Sequence, residues 1–238
     1  MKRKILITND DGIFSDGIIR LAAAARNFGE VWVVAPDGQR SAMSHSITLR
    51  EPVDVHACDF PVPGVHAYAA TGTPADCVRI GALNIVSGKP DVVLSGINYG
   101  YNTASDVQYS ATIGAAFEAA FQEIPSIAFS EGASECHEVT DAYLEQIMGE
   151  LMEAPLAYGQ IWNVNFPQCP LAECKGILQN RTVSRGAFYR DRYEGEALAD
   201  GGVRYRVNGI YNEDAEAGTD FRAIVDGYVS VGVVNNIV

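Results

Sequence analysis

The order of apolar runs in the first forty residues constrains this chain more than anything else in it. Ile5-Leu6-Ile7-Thr8 is a continuous apolar run that stops abruptly at Asn9-Asp10-Asp11-Gly12. Ile18, Leu21, Ala22 and Ala25 then recur at helical spacing, which predicts a helix over about 17–28. Val31-Trp32-Val33-Val34-Ala35 is a second unbroken run, closed by Pro36. Strand, loop, helix and strand in that order make a βαβ unit, and such units imply a parallel sheet covered on both faces.

The same alternation continues. Pro74 and Ala75 open a helix to about Leu83, with Thr73 as N-cap. Residues 91–95 and 126–129 read as buried strands, 111–122 as an Ala-rich helix, 138–152 as an amphipathic helix, and 161–166 as another strand. Residues 46–56 alternate around Ile47, Leu49, Val53 and Val55, predicting extended strands broken at Pro52. From about 175 the character changes: residues 175–206 carry seven basic and four acidic side chains, with no helical period. That stretch reads as an extended β arm, followed by a helix near 218–225 and a last strand over 228–234. The expectation is an alternating α/β region over 1–174 and an extension over 175–238, within one structural domain.

Charge and cysteine content narrow the function. The 238 residues carry a formal charge of −13, and a chain with no basic surplus is a poor partner for a nucleic acid polymer. No apolar stretch approaches the roughly 20 residues that cross a membrane, and the first apolar run is too short for a leader. Cys58, Cys77, Cys136, Cys169 and Cys174 contain no C-x-x-C pair, so they read as reduced thiols of a cytoplasmic protein.

Ligands of open α/β sheets bind beyond the carboxyl ends of the strands. Three such ends carry short oxygen-bearing side chains: Asn9-Asp10-Asp11, the loop with Ser41, and Ser95-Gly96-Ile97-Asn98. Asp-Asp-Gly alone is also ordinary turn chemistry. Two adjacent acids with a serine and an asparagine make an all-oxygen set that suits Mg²⁺ or Mn²⁺, with Ca²⁺ possible in their place, rather than Zn²⁺. Ser110 or Thr112 can cap the helix that follows, and its first turn of N–H groups is then an anion site. His45 lies in the same loop as Ser41, while no Walker loop, G-x-S-x-G elbow or dinucleotide fingerprint occurs.

These blocks resemble the SurE (survival protein E) family. The resemblance rests on Ile7 to Gly12, Val34-Ala35-Pro36 with Arg40-Ser41 and Ser44 to Thr48, and Gly72 to Val78. It continues through Pro90 to Asn98 with Gly100 and Asn102, then Tyr109-Ser110 with Thr112, Gly114 to Ala116 and Glu118. Thr219-Asp220 and Tyr228 to Val231 extend a weaker match. It implies a Rossmann-like three-layer domain with a C-terminal extension used in oligomer contacts. The implied activity is metal-dependent hydrolysis of nucleoside 5′-monophosphates, by attack of water on a phosphomonoester. One divalent cation per subunit falls on Asp10, Asp11, Ser41 and Asn98. Asn9, Asp10 and Asp11 are the implied catalytic group, with the general base unassigned, and Ser110, Thr112 and Asn102 the implied phosphate contacts. Partners are then nucleoside monophosphates and further copies of the chain, as a dimer or tetramer.

Three departures stand out. Ala42 and Ala111 replace glycines of the family pattern, and Gly232-Val233-Val234 stands where the family has Thr-Pro-Leu. The alternative readings are a non-catalytic phosphate- or nucleotide-binding protein and a receiver-like signalling domain. The latter needs an acceptor Asp after the central strand, where this chain has Asn98.

Overall fold

The computed structural model describes residues 2–187 and 189–236. Along the chain run β1 (Arg3–Thr8), α1 (Asp16–Ala25), β2 (Gly29–Pro36), β3 (Val55–Ala57), β4 (His66–Ala70), α2 (Pro74–Ile80), β5 (Val92–Tyr99), α3 (Asp106–Tyr109) and α4 (Ala111–Phe121). These are followed by β6 (Ser126–Glu131), α5 (Glu138–Glu153), β7 (Gln160–Phe166), β8 (Ile177–Leu178), β9 (Tyr189–Arg190), β10 (Tyr193–Ala197), β11 (Val203–Val207), β12 (Ile210–Tyr211), α6 (Asp220–Val225) and β13 (Val229–Asn235).

The main sheet has the order β3-β4-β2-β1-β5-β6-β7-β13-β8. Its run from β4 to β7 is parallel, and β3 and β13 are antiparallel to their inner neighbours. Side-chain alternation along β1 builds the three layers: Ile5 and Ile7 join Ile18 and Leu21 of α1 and Ile147 of α5, while Leu6 joins Val78 of α2 and Ala115 and Ala119 of α4. The chain leaves β1 towards β2 and β4, then returns to place β5 on the other side of β1. The carboxyl ends of β1 and β5 therefore flank the switch point, the place where open α/β sheets bind ligands.

Thr73 caps α2 in a reciprocal box: its hydroxyl accepts from the Asp76 N–H (3.1 Å) and its own N–H donates to the Asp76 carboxylate (3.0 Å). The same carboxylate accepts the N–H (3.0 Å) and hydroxyl (2.6 Å) of Thr48. This corrects the expectation of strands over 46–56. The polar groups near Thr48 bond to the cap of α2 instead of to a neighbouring strand, Leu49 is exposed, and pairing begins only at Val55. Strand β4 escaped the sequence reading because His-Ala-Tyr-Ala-Ala has little β-branched content.

The arm also differs from expectation. Ile177–Leu178 is the outer strand of the main sheet, parallel to β13, so the exposed arm begins later. Strands β10 and β11 pair antiparallel, as do β9 and β12, and all four are exposed. Phe188, assigned to the arm from its sequence, lies outside the described residues. Gly232 explains the altered terminus, since a Cβ there would sit 2.0 Å from the Arg181 carbonyl oxygen. The Arg181 N–H donates to the Val231 carbonyl (3.0 Å), so the segment after β8 crosses against β13 where a side chain would block it.

Candidate active site

Asn9, Asp10 and Asp11 leave the end of β1 directly, and Asn98 lies near the end of β5. Pairing of β5 with β6 is interrupted between Ser95 and Asn98 and resumes with Asn98 beside Ser130. Such irregularities re-aim side chains at sheet rims. The Asn98 amide nitrogen donates to the Gly100 carbonyl (2.7 Å), and its Oδ1 lies 3.4 Å from the Thr112 hydroxyl. That hydroxyl donates its proton to Asp10 Oδ1 at 2.6 Å. Thr112 thus brings the ends of β1 and β5 together at the first turn of α4. Its hydroxyl is bonded to a carboxylate, a position the sequence did not distinguish from a direct phosphate contact.

Asp11 is set by a different element. Its Oδ2 accepts from the Tyr99 N–H (3.0 Å). Sequence reasoning missed this contact, which leaves no signal to find because every residue except proline has a backbone N–H. Burial pushes the Asp10 carboxyl up to about 6; the Thr112 hydrogen bond offsets part of this and the neighbouring Asp11 adds to it. Burial raises Asp11 as well.

Ser41 lies on an irregular segment pinned at both ends. The Arg40 N–H donates to the Asp10 carbonyl (2.7 Å), and the Ser44 N–H donates to the Tyr109 carbonyl (2.9 Å). Ser41 therefore spans from the end of β1 to the start of α4. Ser110 caps α4, its Oγ accepting from the Ile113 N–H (3.1 Å). Asn9 donates to the Gly12 carbonyl (2.9 Å) and the Ser15 hydroxyl (2.7 Å). Its Oδ1 is buried without a hydrogen-bond donor among the described residues.

Asn102 stands in a buried cluster around Ser130, the residue beside Asn98 in the sheet. Its amide nitrogen donates to Ser130 Oγ (2.8 Å), and its backbone bonds Asn163 and Asn165. Asp220 is a further buried carboxylate, accepting from the N–H groups of Ser184 (2.9 Å), Phe221 (2.7 Å) and Ala104 (3.2 Å). It ties the loop between β5 and α3 to the base of the arm.

A hard divalent cation fits these residues. Among the described residues, neither Asp10 nor Asp11 is paired with a cationic side chain, and the nearby donors are oxygens. No cluster of three His, Cys, Asp or Glu side chains suited to a metal occurs among them, so Ser41 and Asn98 would have to complete the ligand set.

The two alanine departures differ in consequence. Ala111 is the first helical residue of α4 and carries no backbone strain. Ala42 has φ +56° and is exposed, in the left-handed region where a Cβ is unfavourable. Replacing it with glycine should stabilise the protein by about 1 kcal/mol, raising Tm by about 2–4 °C. A calorimetric melt that shows Ala42→Gly unchanged or less stable would contradict this account of the loop.

Short acids and amides gathered at the switch point of a doubly wound parallel sheet, beside an N-capped helix, define a Rossmann-like protein with a candidate site on the carboxyl edge. The chain belongs to the SurE family: the family model described as Survival protein SurE matches residues 5–187. A relative from Cytophaga hutchinsonii, named 5′-nucleotidase SurE, is 41% identical over 97% of this chain and 90% of its own length. One of the same name from Aeromonas hydrophila is 40% identical over 96% and 90%. The crystal structure of the SurE protein from Aquifex aeolicus superposes with a TM-score of 0.83 at 36% identity, covering 98% of this chain and 93% of that one.

Proposed function

We propose that this chain is a metal-dependent 5′-nucleotidase, a phosphatase of nucleoside 5′-monophosphates. The observation that carries the reading is the Thr112 hydroxyl between Asp10 and Asn98, which sets an oxygen-only acidic site against the start of a capped helix. The relatives' name, 5′-nucleotidase SurE, supports it.

Asp10, Asp11, Ser41 and Asn98 would hold one Mg²⁺ or Mn²⁺. When bound, the cation supplies Lewis-acid polarisation of a phosphoryl oxygen and makes water more acidic. The chain's own residues do the rest. Thr112 and the Tyr99 N–H orient the two carboxylates. Ser110 caps α4, and the leading N–H groups of that helix favour an anion. Asn9 braces the loop after β1 and offers its unsatisfied Oδ1. Asn102 holds the strand-end loop through Ser130.

A cavity of about 680 Å³ begins at Gly100, the residue whose carbonyl holds Asn98, and is lined by Tyr101, Asp106, Gln168, Tyr189 and Tyr211. Its size is ordinary for a small-molecule site and suits the nucleoside half of the substrate.

The division into a catalytic region, 1–174, and an extension, 175–238, is part of the same reading, as is a homo-oligomer built through the arm. A two-stranded ribbon exposed on both faces is marginal alone. Its Tyr193, Arg204, Tyr205 and Arg206 are residue types enriched at interfaces. Five free cysteines accord with a reducing, cytoplasmic setting. Among the described residues no helix is long and apolar enough to cross a membrane.

The test is phosphate release from AMP, with the mass of the active species read by light scattering. Release should cease with EDTA, return with Mn²⁺ or Mg²⁺, and belong to a dimer or larger. No release with any divalent cation would leave the binding-protein reading in its place, and a monomer would remove the role given to the arm.

A further inference from the structure

The candidate ligand Ser41 is the member of the set that no strand or helix positions. Residues 40–46 are irregular, and two of them, Ala42 (φ +56°) and Ser44 (φ +51°), are non-glycine residues in the left-handed region. A backbone held that way persists only where surrounding contacts over-determine it. Those contacts come from the end of α3 and from α4. The Ser44 N–H and hydroxyl donate to the Tyr109 and Gln108 carbonyls just ahead of the helix (2.9 and 2.8 Å). One turn in, Gly114 lets the segment lie directly on the helix, because a Cβ there would stand 2.4 Å from the Ser44 carbonyl oxygen. A further turn along, buried Glu118 bonds His45 Nε2 through Oε2 (2.9 Å), and the imidazole stacks on Phe121 with centroids 5.3 Å apart. Glu118 is itself fixed by Arg79 of α2 (3.2 Å) and Gln122 (3.0 Å). Burial pushes its carboxyl up, but the His45 and Gln122 hydrogen bonds and the Arg79 charge outweigh that and hold it below the usual range. It is therefore an ionised acceptor, and the imidazole donates to it.

We infer that the His45–Glu118 pair is a clamp that seats residues 40–46 on α4 and so sets where Ser41 stands relative to Asp10, making both positioning residues for the cation. The inference rests on the proposed metal site. It assigns α4 two tasks: its first turn presents Ser110 and Thr112, and its later turns anchor the loop that carries the remaining ligand. Supporting groups of this kind typically change metal affinity by 10–100-fold.

The experiment compares wild type, His45→Leu and His45→Gln by Mn²⁺ titration without substrate, and by hydrogen exchange of residues 40–46. His45 is partly exposed, so both variants should fold, and Glu118→Gln is the second probe of the pair from its buried side. His45→Leu should weaken Mn²⁺ binding at least tenfold and speed exchange across 40–46. His45→Gln, whose amide can still donate to Glu118, should keep both near wild type. If wild type binds Mn²⁺ and His45→Leu binds it equally well, the clamp is overturned and the metal site stands. If wild type binds no Mn²⁺, the metal reading falls, and this inference with it.

Discussion

Asp10→Asn should lose turnover by about 10³-fold and, with metal chelated at pH 7, melt at a higher temperature than wild type. The two effects share one cause. Burial, with the neighbouring Asp11, lifts the folded-state pKa of Asp10 from 3.8 to about 6. A raised carboxyl pKa means that the folded state binds the proton more tightly than the unfolded chain. Its contribution to stability is complete below about pH 4 and is lost as pH rises through about 6. At pH 7 the metal-free protein carries this ionised group at a cost on the order of 2–3 kcal/mol. Asparagine keeps an acceptor for Thr112 and removes the charge, so Tm should rise at about 2–4 °C per kcal/mol. The difference should vanish near pH 4, and saturating Mn²⁺ should reverse it by stabilising wild type alone. Undiminished metal-dependent turnover in Asp10→Asn would sink the assignment, and a lower metal-free Tm at pH 7 would show the carboxylate to be stabilising.

How much of this was legible in the sequence depends on which kind of group carries each feature. Strands β1, β2, β5, β6 and β7 are buried on both faces, so each is a continuous apolar run that is hard to mistake. The caps of α2 and α4 were visible because Thr73-Pro74 and Ser110 act through side chains. The acid pair was visible for the same reason, and its place at a strand end gave it meaning once the sheet was parallel. Strand β4 was hidden because its alanines and single tyrosine owe their extended form to pairing with β2, a tertiary contact. Residues 46–54 misled in the opposite way: the alternation is real, but Asp76 and Thr73 take the polar groups a strand would need.

The fine structure of the site was least legible. Asp11 is aimed by the Tyr99 N–H, and the Ser41 segment is attached through the Arg40 and Ser44 N–H groups. Backbone donors leave no mark on residue identity. The strain at Ala42 is similar, since the sequence showed an alanine in place of a glycine and only the dihedral shows that the position needed one. The arm showed its Arg–Tyr content plainly. Its first strand looked no different from the rest, yet belongs to the main sheet, because pairing with β13 was decided by a segment some fifty residues further on.

Thr112→Val should reduce turnover by about tenfold to a hundredfold and weaken inorganic phosphate inhibition with it. Valine keeps the shape and loses the hydroxyl that donates to Asp10 at 2.6 Å, and hydrogen bonds to charged groups contribute about 1.5–3 kcal/mol. That bond lowers the Asp10 pKa against the upward push of burial, so removing it should raise the value above about 6. A proton then competes with the cation over a wider range, and the acid limb of Mn²⁺ binding should move to higher pH. Thr112→Ser retains the donor and should leave the limb in place. A hydroxyl that touched only the substrate phosphate would give a different pattern, with turnover and phosphate inhibition reduced but Mn²⁺ binding and its acid limb unchanged in the absence of substrate. If Thr112→Val altered only the preference among AMP, GMP and CMP, neither role would hold, and the phosphate pocket would lie elsewhere along the carboxyl edge of the sheet.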